Sequence, residues 1–305
     1  MKSLISKKTK GFICGIIASV TYGMNPLFAL PLYERGLNAD SVLFYRYSLA
    51  IVLLGLLMKW KGESFRIQKG ELLPLLLAGL IFSSSSLLLF LSYTYMDAGI
   101  ASTILFVYPV IVALIMMFFF KEHISVVVWG GIIMALCGIS LLLRKADGGM
   151  LSLTGVIFVL LSSLSYAIYI VGVNQSVLKS MSVMKLTFYA LLFGLLIYLV
   201  RLDFGTNLVL IDSWENWLNV LALALLPTIL SLLCTTISIH DIGSTPTAVL
   251  GALEPVTALF FGVMLFDEQL TFRACMGIIL ILSAVILIVL ERSVVSCLKH
   301  VLKLS

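Results

Sequence analysis

Long apolar runs recur along this chain of 305 residues, and short segments between them hold most of the charged residues. A helix needs about 20 apolar residues to cross the hydrocarbon core of a bilayer, and each run has about that length. The chain is 61% hydrophobic and 11% charged, which leaves too little polar surface to cover a water-soluble globule of this size. The sequence therefore predicts an all-α integral membrane protein.

We predict ten transmembrane helices in two repeats of five, residues 1–146 and 147–290, followed by an amphipathic cytoplasmic tail over 291–305. The five helices of the first repeat are expected over residues 11–33, 41–58, 72–95, 99–120 and 124–143. Those of the second repeat are expected over residues 153–173, 183–200, 217–239, 244–266 and 270–290.

The positions of lysine and arginine predict the orientation. If the N-terminus is cytoplasmic, most of the 20 basic residues fall in cytoplasmic segments, which is the usual bias in membrane proteins. We therefore expect both termini in the cytoplasm of a multi-pass protein of the plasma (cytoplasmic) membrane. The net charge of +5 reflects this bias, so we expect no nucleic-acid partner.

The second half of the chain repeats a pattern of the first. The repeated residues that carry most weight are those that are not apolar by default: Gly11 and Gly155, Ser19 and Ser163, Tyr22 and Tyr166, Pro109 and Pro255, Glu122 and Glu268. Five helices per half is an odd number, so the second half would enter the membrane upside down. Such an inverted repeat lets one structure open alternately to either side.

Three prolines inside predicted helices are expected to bend them. Pro109 and Pro255 occupy equivalent places in the two halves, and Pro26 follows Asn25 in the first helix. Because proline lacks a backbone donor, it bends or breaks a membrane helix and frees carbonyl groups at depth. We expect helix bends at all three positions.

These features together resemble the EamA branch of the drug/metabolite transporter superfamily. The resemblance covers residues of about 10–290 and rests on the Gly-x(7)-Ser-x(2)-Tyr pattern that opens each half, Phe44-Tyr45-Arg46, and the duplicated Pro-Val to Glu pattern. It implies a ten-helix secondary transporter with a central cavity between the halves, in many members an exporter of amino acids or other small metabolites. Other cargo classes, such as nucleosides, sugars or cationic drugs, stay open.

Glu254 is the sharpest candidate for a functional residue. It lies in the middle of a predicted helix, where an acid costs about 2.5 to 3.5 kcal/mol on insertion scales. We interpret it as a proton carrier or a counter-charge for an amine; the alternative is a neutral acid bonded to backbone that Pro255 frees. Its counterpart in the first half is Tyr108, a hydrogen-bond donor with a ring face for a cation.

Arg46 is the other charged residue inside a predicted helix. One interpretation is that it binds a substrate carboxylate or pairs with Glu254 as a gate. The other is that it extends toward the outer headgroups or caps helix carbonyls. Both interpretations stay open at this point.

Four further residues are candidates for the substrate cavity: Asn25, Tyr22, Tyr166 and Tyr169. Asn25 would act at the helix break, with a plain kink as its alternative, and tyrosines in membrane helices also often only pack. Glu122 and Glu268 end equivalent helices, so we consider them gate candidates, with solvated loop charges as the alternative.

An enzyme would need a cluster of catalytic residues, and the three histidines are too scattered to form one. We therefore predict no catalytic residue, no metal site and no cofactor. The expected partners are a small-molecule substrate, the lipid bilayer and, as a candidate coupling ion, the proton. The sequence does not distinguish a monomer from a homodimer.

Overall fold

The computed structural model describes residues 7–121, 125–143, 150–243, 247 and 249–302, with side chains to Glu291. The chain forms helices over most of this length, and the described residues contain no β-strand. The helices of the first half are α1 (Lys7–Gly23), α2 (Asn25–Glu34), α3 (Ala39–Trp60), α4 (Leu72–Ser92), α5 (Ala98–Leu105), α6 (Tyr108–Phe120) and α7 (Val126–Leu142). Those of the second half are α8 (Leu153–Asn174), α9 (Val183–Arg201), α10 (Trp214–Ala224), α11 (Ser231–Ile242), α12 (Leu253–Leu265) and α13 (Phe272–Leu302).

Within the described residues, eight helical segments are long and apolar enough to cross a membrane. Three of them combine two helices each: α1 with α2, α5 with α6, and α10 with α11. The other two predicted spans correspond to α7 and α12, which are apolar but only 17 and 13 residues long. The protein is therefore a multi-pass integral membrane protein, whereas ten spans and cytoplasmic termini stay predictions.

Each of the three prolines lies at a helix interruption. Met24 separates α1 from α2 just before Pro26, and Phe106 and Val107 separate α5 from α6 just before Pro109. A turn at Gly251 and Ala252 precedes α12, in which Pro255 is the third residue. Proline fits the first turn of a helix because a backbone donor there has no helical partner to lose.

A fourth interruption was absent from the sequence-based prediction, which expected one helix over 217–239. Residues Leu225–Leu230 form a π-helical segment between α10 and α11, and it contains Pro227. The Thr228 hydroxyl donates a hydrogen bond to the Leu223 carbonyl at 2.9 Å. A wider turn with a hydroxyl donor satisfies carbonyl groups that a proline leaves without an amide partner.

Helices of one half pack against helices of the other half, and each such pair has an equivalent pair in which the halves have changed places. The first helix of each half packs on the third span of the other half, so α1 contacts α11 and α8 contacts α4. Hydroxyl groups join both pairs, with Ser231 donating to the Ala18 carbonyl at 3.0 Å and Ser85 bonding Ser162 at 3.1 Å. Equivalent elements also pair directly, α3 with α9 and α7 with α13, and α5 packs on α12 of the equivalent span.

The repeat extends to the backbone conformation after these helices. Lys121 and Asp267 each lie 12 residues after the proline of their copy, Pro109 or Pro255, and their φ angles are 54° and 53°. This left-handed conformation costs a residue with a side chain about 1 kcal/mol or more, so its recurrence reflects a shared turn. At the end of the chain, α13 continues without interruption through the predicted tail to Leu302. Residues 244–246 and 248 of the predicted ninth helix lie outside the described residues.

Candidate functional site

A small cavity lies where the interrupted helices of the two halves meet. Its polar wall consists of Tyr22, Asn25, Tyr93, Ser102 and Glu254, and it has room for about one water molecule. The first four residues come from the first half of the chain and Glu254 comes from the second. The sequence-predicted residues Tyr22, Asn25 and Glu254 are therefore neighbours in space.

Close contact between α1 and α12 brings Glu254 to this cavity. A β-carbon at Gly23 would lie 2.7 Å from Cβ of Thr257 and would overlap the Glu254 backbone, so only glycine allows the approach. The Glu254 side chain is partly buried and makes no hydrogen bond or ion pair within the described part of the chain. A carboxyl group without a partner is costly at such a place, which makes it available to a ligand.

Arg46 lies behind the cavity wall rather than in it. The side chain is 6% exposed, its Nη1 donates to Asn25 Oδ1 at 2.9 Å, and its Nε donates to Thr228 Oγ1 at 2.9 Å. The guanidinium also lies over the Phe90 ring, 5.4 Å from the centroid. No carboxylate among the described residues forms an ion pair with it. Its positive charge is therefore held by neutral groups, and three of its five N–H donors remain unused.

Both neutral partners of Arg46 are oriented by a second bond. Asn25 Nδ2 donates to the Tyr22 carbonyl at 2.8 Å, which turns the amide oxygen toward Arg46. The Thr228 hydroxyl donates its proton to the Leu223 carbonyl, so its oxygen is free to accept a hydrogen bond from Arg46. The break before α2 and the π-helical segment thus form one clamp around the guanidinium. Neither the snorkelling interpretation of Arg46 nor a direct pair with Glu254 agrees with this geometry.

Tyrosine rings extend from the cavity into the helix bundle. Tyr108 and Tyr166 meet edge to face with centroids 4.7 Å apart, and both interact electrostatically with Glu254. Tyr169 stacks on Tyr166 at 6.2 Å and contacts Phe82 at 5.0 Å. We call these four rings the aromatic cluster: Phe82, Tyr108, Tyr166 and Tyr169. The cluster lies between the Glu254 cavity and a second pocket on the other side of Tyr169.

On that far side, Tyr169 forms part of the wall of an open, apolar groove. The groove has a volume of about 300 Å³ and runs between the N-terminal half of α4 and the C-terminal half of α8. Pro74 and Ile81 line it on α4, and Ile168 and Val173 line it on α8. A series of ring contacts therefore leads from the groove to Tyr166 and Tyr108, which interact electrostatically with Glu254.

Glu268 contacts the first half of the chain at the N-terminus of α5. Both carboxylate oxygens accept from the Gly99 amide at 3.2 Å, and glycine at positions 99 and 262 leaves space for the carboxyl group. Burial raises the pKa of the Glu268 carboxyl to about 7, the Gly99 amide acts in the opposite direction, and the charge of Asp97 raises it further. Its predicted counterpart Glu122 lies outside the described residues.

Three residues of this site escaped sequence reasoning: Tyr93, Ser102 and Thr228. Serine, threonine and tyrosine are common in membrane helices, so residue type alone does not single them out. Thr228 carried one usable signal, because it follows Pro227 inside an apolar run. The described residues contain no group of three His, Cys, Asp or Glu that could hold a metal ion.

Comparison with protein families identifies a single family, and its matches cover nearly the whole chain. The model of the EamA-like transporter family matches residues 9–144 and again residues 153–290. The two matches correspond to the two repeats.

Individual relatives are distant and agree with this result. The chain is 24% identical to the uncharacterized transporter YxxF of Bacillus subtilis over 95% of this chain and 93% of the relative. It is 25% identical to an uncharacterized transporter of Archaeoglobus fulgidus over 90% and 97% of the two chains. The match to the B. subtilis transporter YdfC, also 25% identical, spans 66% of each chain. A protein of known crystal structure has the same fold, with a TM-score of 0.65 over 92% of this chain and 96% of that one at 14% identity.

Proposed function

This chain belongs to the EamA-like transporter family, and from that premise we propose that it is a secondary transporter of a small metabolite. The cargo in this proposal is an amino acid or a related compound, exported across the plasma membrane. Transport occurs by alternating access to a central cavity between the two repeats. The observation that carries the proposal is the cavity at Glu254, which both halves build where their helices are interrupted.

The exchangeable packing of the halves supports alternating access. Because α1 and α11 pair as α8 and α4 do, the protein has two equivalent sets of contacts that can open in turn. In the proposed topology of ten spans with cytoplasmic termini, the second repeat is inverted relative to the first. The same cavity would then face opposite sides of the membrane in the two states.

Contacts between the halves at one end of the bundle support a structure that is closed toward the outside. Arg201 bonds Asp40 through Nε at 2.5 Å, and Glu268 caps α5 on the same predicted side. At the other end, Lys185 and Glu71 pair at 3.3 Å beside the open groove. The groove would be the cytoplasmic entry, the aromatic cluster the inner barrier, and Glu268 with its counterpart Glu122 the gate residues.

Two buried charges of opposite sign support an amino acid as cargo. Tyr22 interacts electrostatically with both Glu254 and Arg46, so both charges lie near its phenol. A zwitterion can align its ammonium group with Glu254 and its carboxylate with the field of Arg46. The Glu254 carboxyl group has no partner among the described residues and is also the candidate proton carrier for coupling.

A second candidate is a transporter of cationic drugs or another amine-bearing solute. The aromatic cluster beside an unpaired acid favours it, since tyrosine rings and a carboxylate both attract cations. Such a protein would transport compounds that have an amine but no carboxylate.

Flux measurements in proteoliposomes test the proposal. Vesicles that contain the purified protein would be loaded with labelled amino acids, nucleosides or organic cations, and counterflow would be recorded with and without a pH gradient. We expect amino-acid flux that Glu254→Gln and Arg46→Ala both reduce, with the exposed Glu34→Gln as the matched control. Unchanged flux in both variants contradicts the proposal. Flux that ignores the pH gradient contradicts proton coupling alone.

A further inference from the structure

An unsatisfied phenol faces the same cavity as Glu254. Tyr93 is 7% exposed, and its hydroxyl oxygen makes no hydrogen bond within the described residues. The Ser102 hydroxyl lies beside it but outside hydrogen-bonding geometry. A buried phenol without a partner costs about 1 to 3 kcal/mol, so folded proteins rarely keep one without a reason.

The free polar atoms of this cavity are all oxygens that can accept hydrogen bonds. Among the described residues they belong to Tyr22, Tyr93, Ser102 and Glu254, whereas both ends of the Asn25 amide are already used. A carboxylate ligand would face the like charge of Glu254. The ligand group that enters this space must therefore donate hydrogen bonds and must not carry a negative charge.

The size of the cavity restricts the ligand further. There is room for about one water molecule, which is also the room that a primary ammonium group needs. A quaternary ammonium group is much larger and has no N–H donor. Leu89 and Leu105 line the cavity between the polar residues, so an N–H group of a bound ammonium would be costly to leave without one of the oxygen acceptors.

We infer that Glu254, Tyr93 and Ser102 form a subsite for the primary ammonium group of the cargo. The three N–H donors of the ammonium group have these three acceptors, one of which carries the compensating charge, and the Tyr22 phenol is a fourth oxygen in the same wall. Tyr93 is thereby a specificity-determining residue that distinguishes primary amines from quaternary ones. This inference rests on the proposed function and assigns a substrate class to its cavity.

Binding to the purified full-length protein in detergent tests the subsite without transport. The probes are n-butylammonium, 1-butanol and butyltrimethylammonium, and the readout is the shift of the unfolding temperature with probe concentration. We expect butylammonium to stabilise the protein in a saturable way and the other two probes to have no such effect. Equal stabilisation by all three probes, or none by butylammonium, overturns the inference.

Two variants make the test specific. Tyr93→Phe removes only the phenol oxygen and should weaken butylammonium binding about tenfold, the usual effect of losing one hydrogen bond to a charged group. Tyr95→Phe, at an exposed phenol two residues away, is the matched control and should leave the affinity unchanged. Equal affinities in Tyr93→Phe and the unmodified protein overturn the assignment of Tyr93.

Flux and binding separate the two proposals. If Glu254→Gln abolishes amino-acid flux while butylammonium does not bind, the transporter proposal stands and the ammonium subsite is wrong. If butylammonium binds and Tyr93→Phe weakens it, but no solute class shows flux, the subsite stands and the transport proposal is wrong.

Discussion

The stretch that begins at Tyr108 and the stretch that begins at Glu254 have the same geometry and different chemistry. Each starts a helix next to a proline, and each ends in a residue with a left-handed backbone, Lys121 or Asp267. Only the second copy brings an acid into the cavity, whereas the first brings a phenol into the aromatic cluster. The repeat therefore accounts for the helix interruptions, and a single unrepeated position determines the charge of the site.

The first helices of the two halves differ in the same way. Asn25 and Pro26 break the first span, while Tyr169 and Ile170 occupy the equivalent places in α8, which continues without interruption. The amide of Asn25 holds Arg46, and the ring of Tyr169 joins the aromatic cluster. One half thus supplies a polar clamp and the other an apolar wall, at positions related by the repeat.

The largest expected effect comes from removing the charge that only the second copy carries. Glu254→Gln removes the cavity charge and should reduce flux about 10- to 100-fold, since a hydrogen bond to a charged group contributes about 1.5 to 3 kcal/mol. The matched change in the first copy, Tyr108→Phe, should reduce flux about threefold or less, since Tyr108 is one step from the cavity. Initial rates in proteoliposomes measure both, and equal losses would contradict the asymmetry.

The next effect concerns the clamp around Arg46, whose repeat-related position in the second half is Ala190. Thr228→Val leaves Arg46 Nε without its acceptor and should lower the free energy of unfolding by about 1.5 to 3 kcal/mol. Thr236→Val is the control, because the Thr236 hydroxyl bonds only the Leu232 carbonyl of its own helix. Denaturation in mixed micelles gives both values. Equal stabilities would show that the clamp does not stabilise the fold.

A third test concerns the approach of α1 to Glu254. Gly23→Ala adds a methyl group against Thr257 and the Glu254 backbone and should cost about 1 to 3 kcal/mol of unfolding free energy. Gly130→Ala in α7 adds the same group to open space and should be neutral or slightly stabilising. The equivalent residue of the second half is already Ala167, so tolerance of alanine at position 23 would mean that both copies approach their neighbours alike.

The smallest effect is the pH dependence of the Glu268 contact. Its pKa of about 7 in the contact lies above the ordinary value of 4.5, so the contact form binds a proton more readily than a solvated carboxyl group. The contact should therefore strengthen as pH falls from 8 to 6 and weaken as pH rises through about 7. Hydrogen exchange of residues 99–105, corrected for intrinsic rates, should be slower at pH 6.

Glu268→Gln should remove this pH dependence, because glutamine does not titrate. Asp97 is the other acid near the contact, so Asp97→Asn should leave a pH dependence with a lower midpoint. Faster corrected exchange at pH 6 than at pH 8 in the unmodified protein would contradict the assigned direction.

Sequence reasoning anticipated the family, the membrane character and the places where proline would interrupt helices. It also singled out Glu254, because an acid in a long apolar run is costly and therefore conspicuous. It did not find the π-helical segment, since Pro227 alone does not reveal how a helix accommodates it. It did not decide the role of Arg46, because the hydrogen-bond partners of Arg46, Asn25 and Thr228, are 21 and 182 residues away along the chain.

The sequence by itself determined the solvent of this protein, its division into two repeats and the interruption of helices at Pro26, Pro109 and Pro255. These properties follow from composition, periodicity and local backbone chemistry, which act over a few residues at a time. Only the tertiary structure decided that Glu254 has Tyr93 as a neighbour and that Arg46 lies one layer behind the cavity. Such neighbours depend on how helices from both halves pack, and hydroxyl groups and rings acquire a role only from the atoms opposite them.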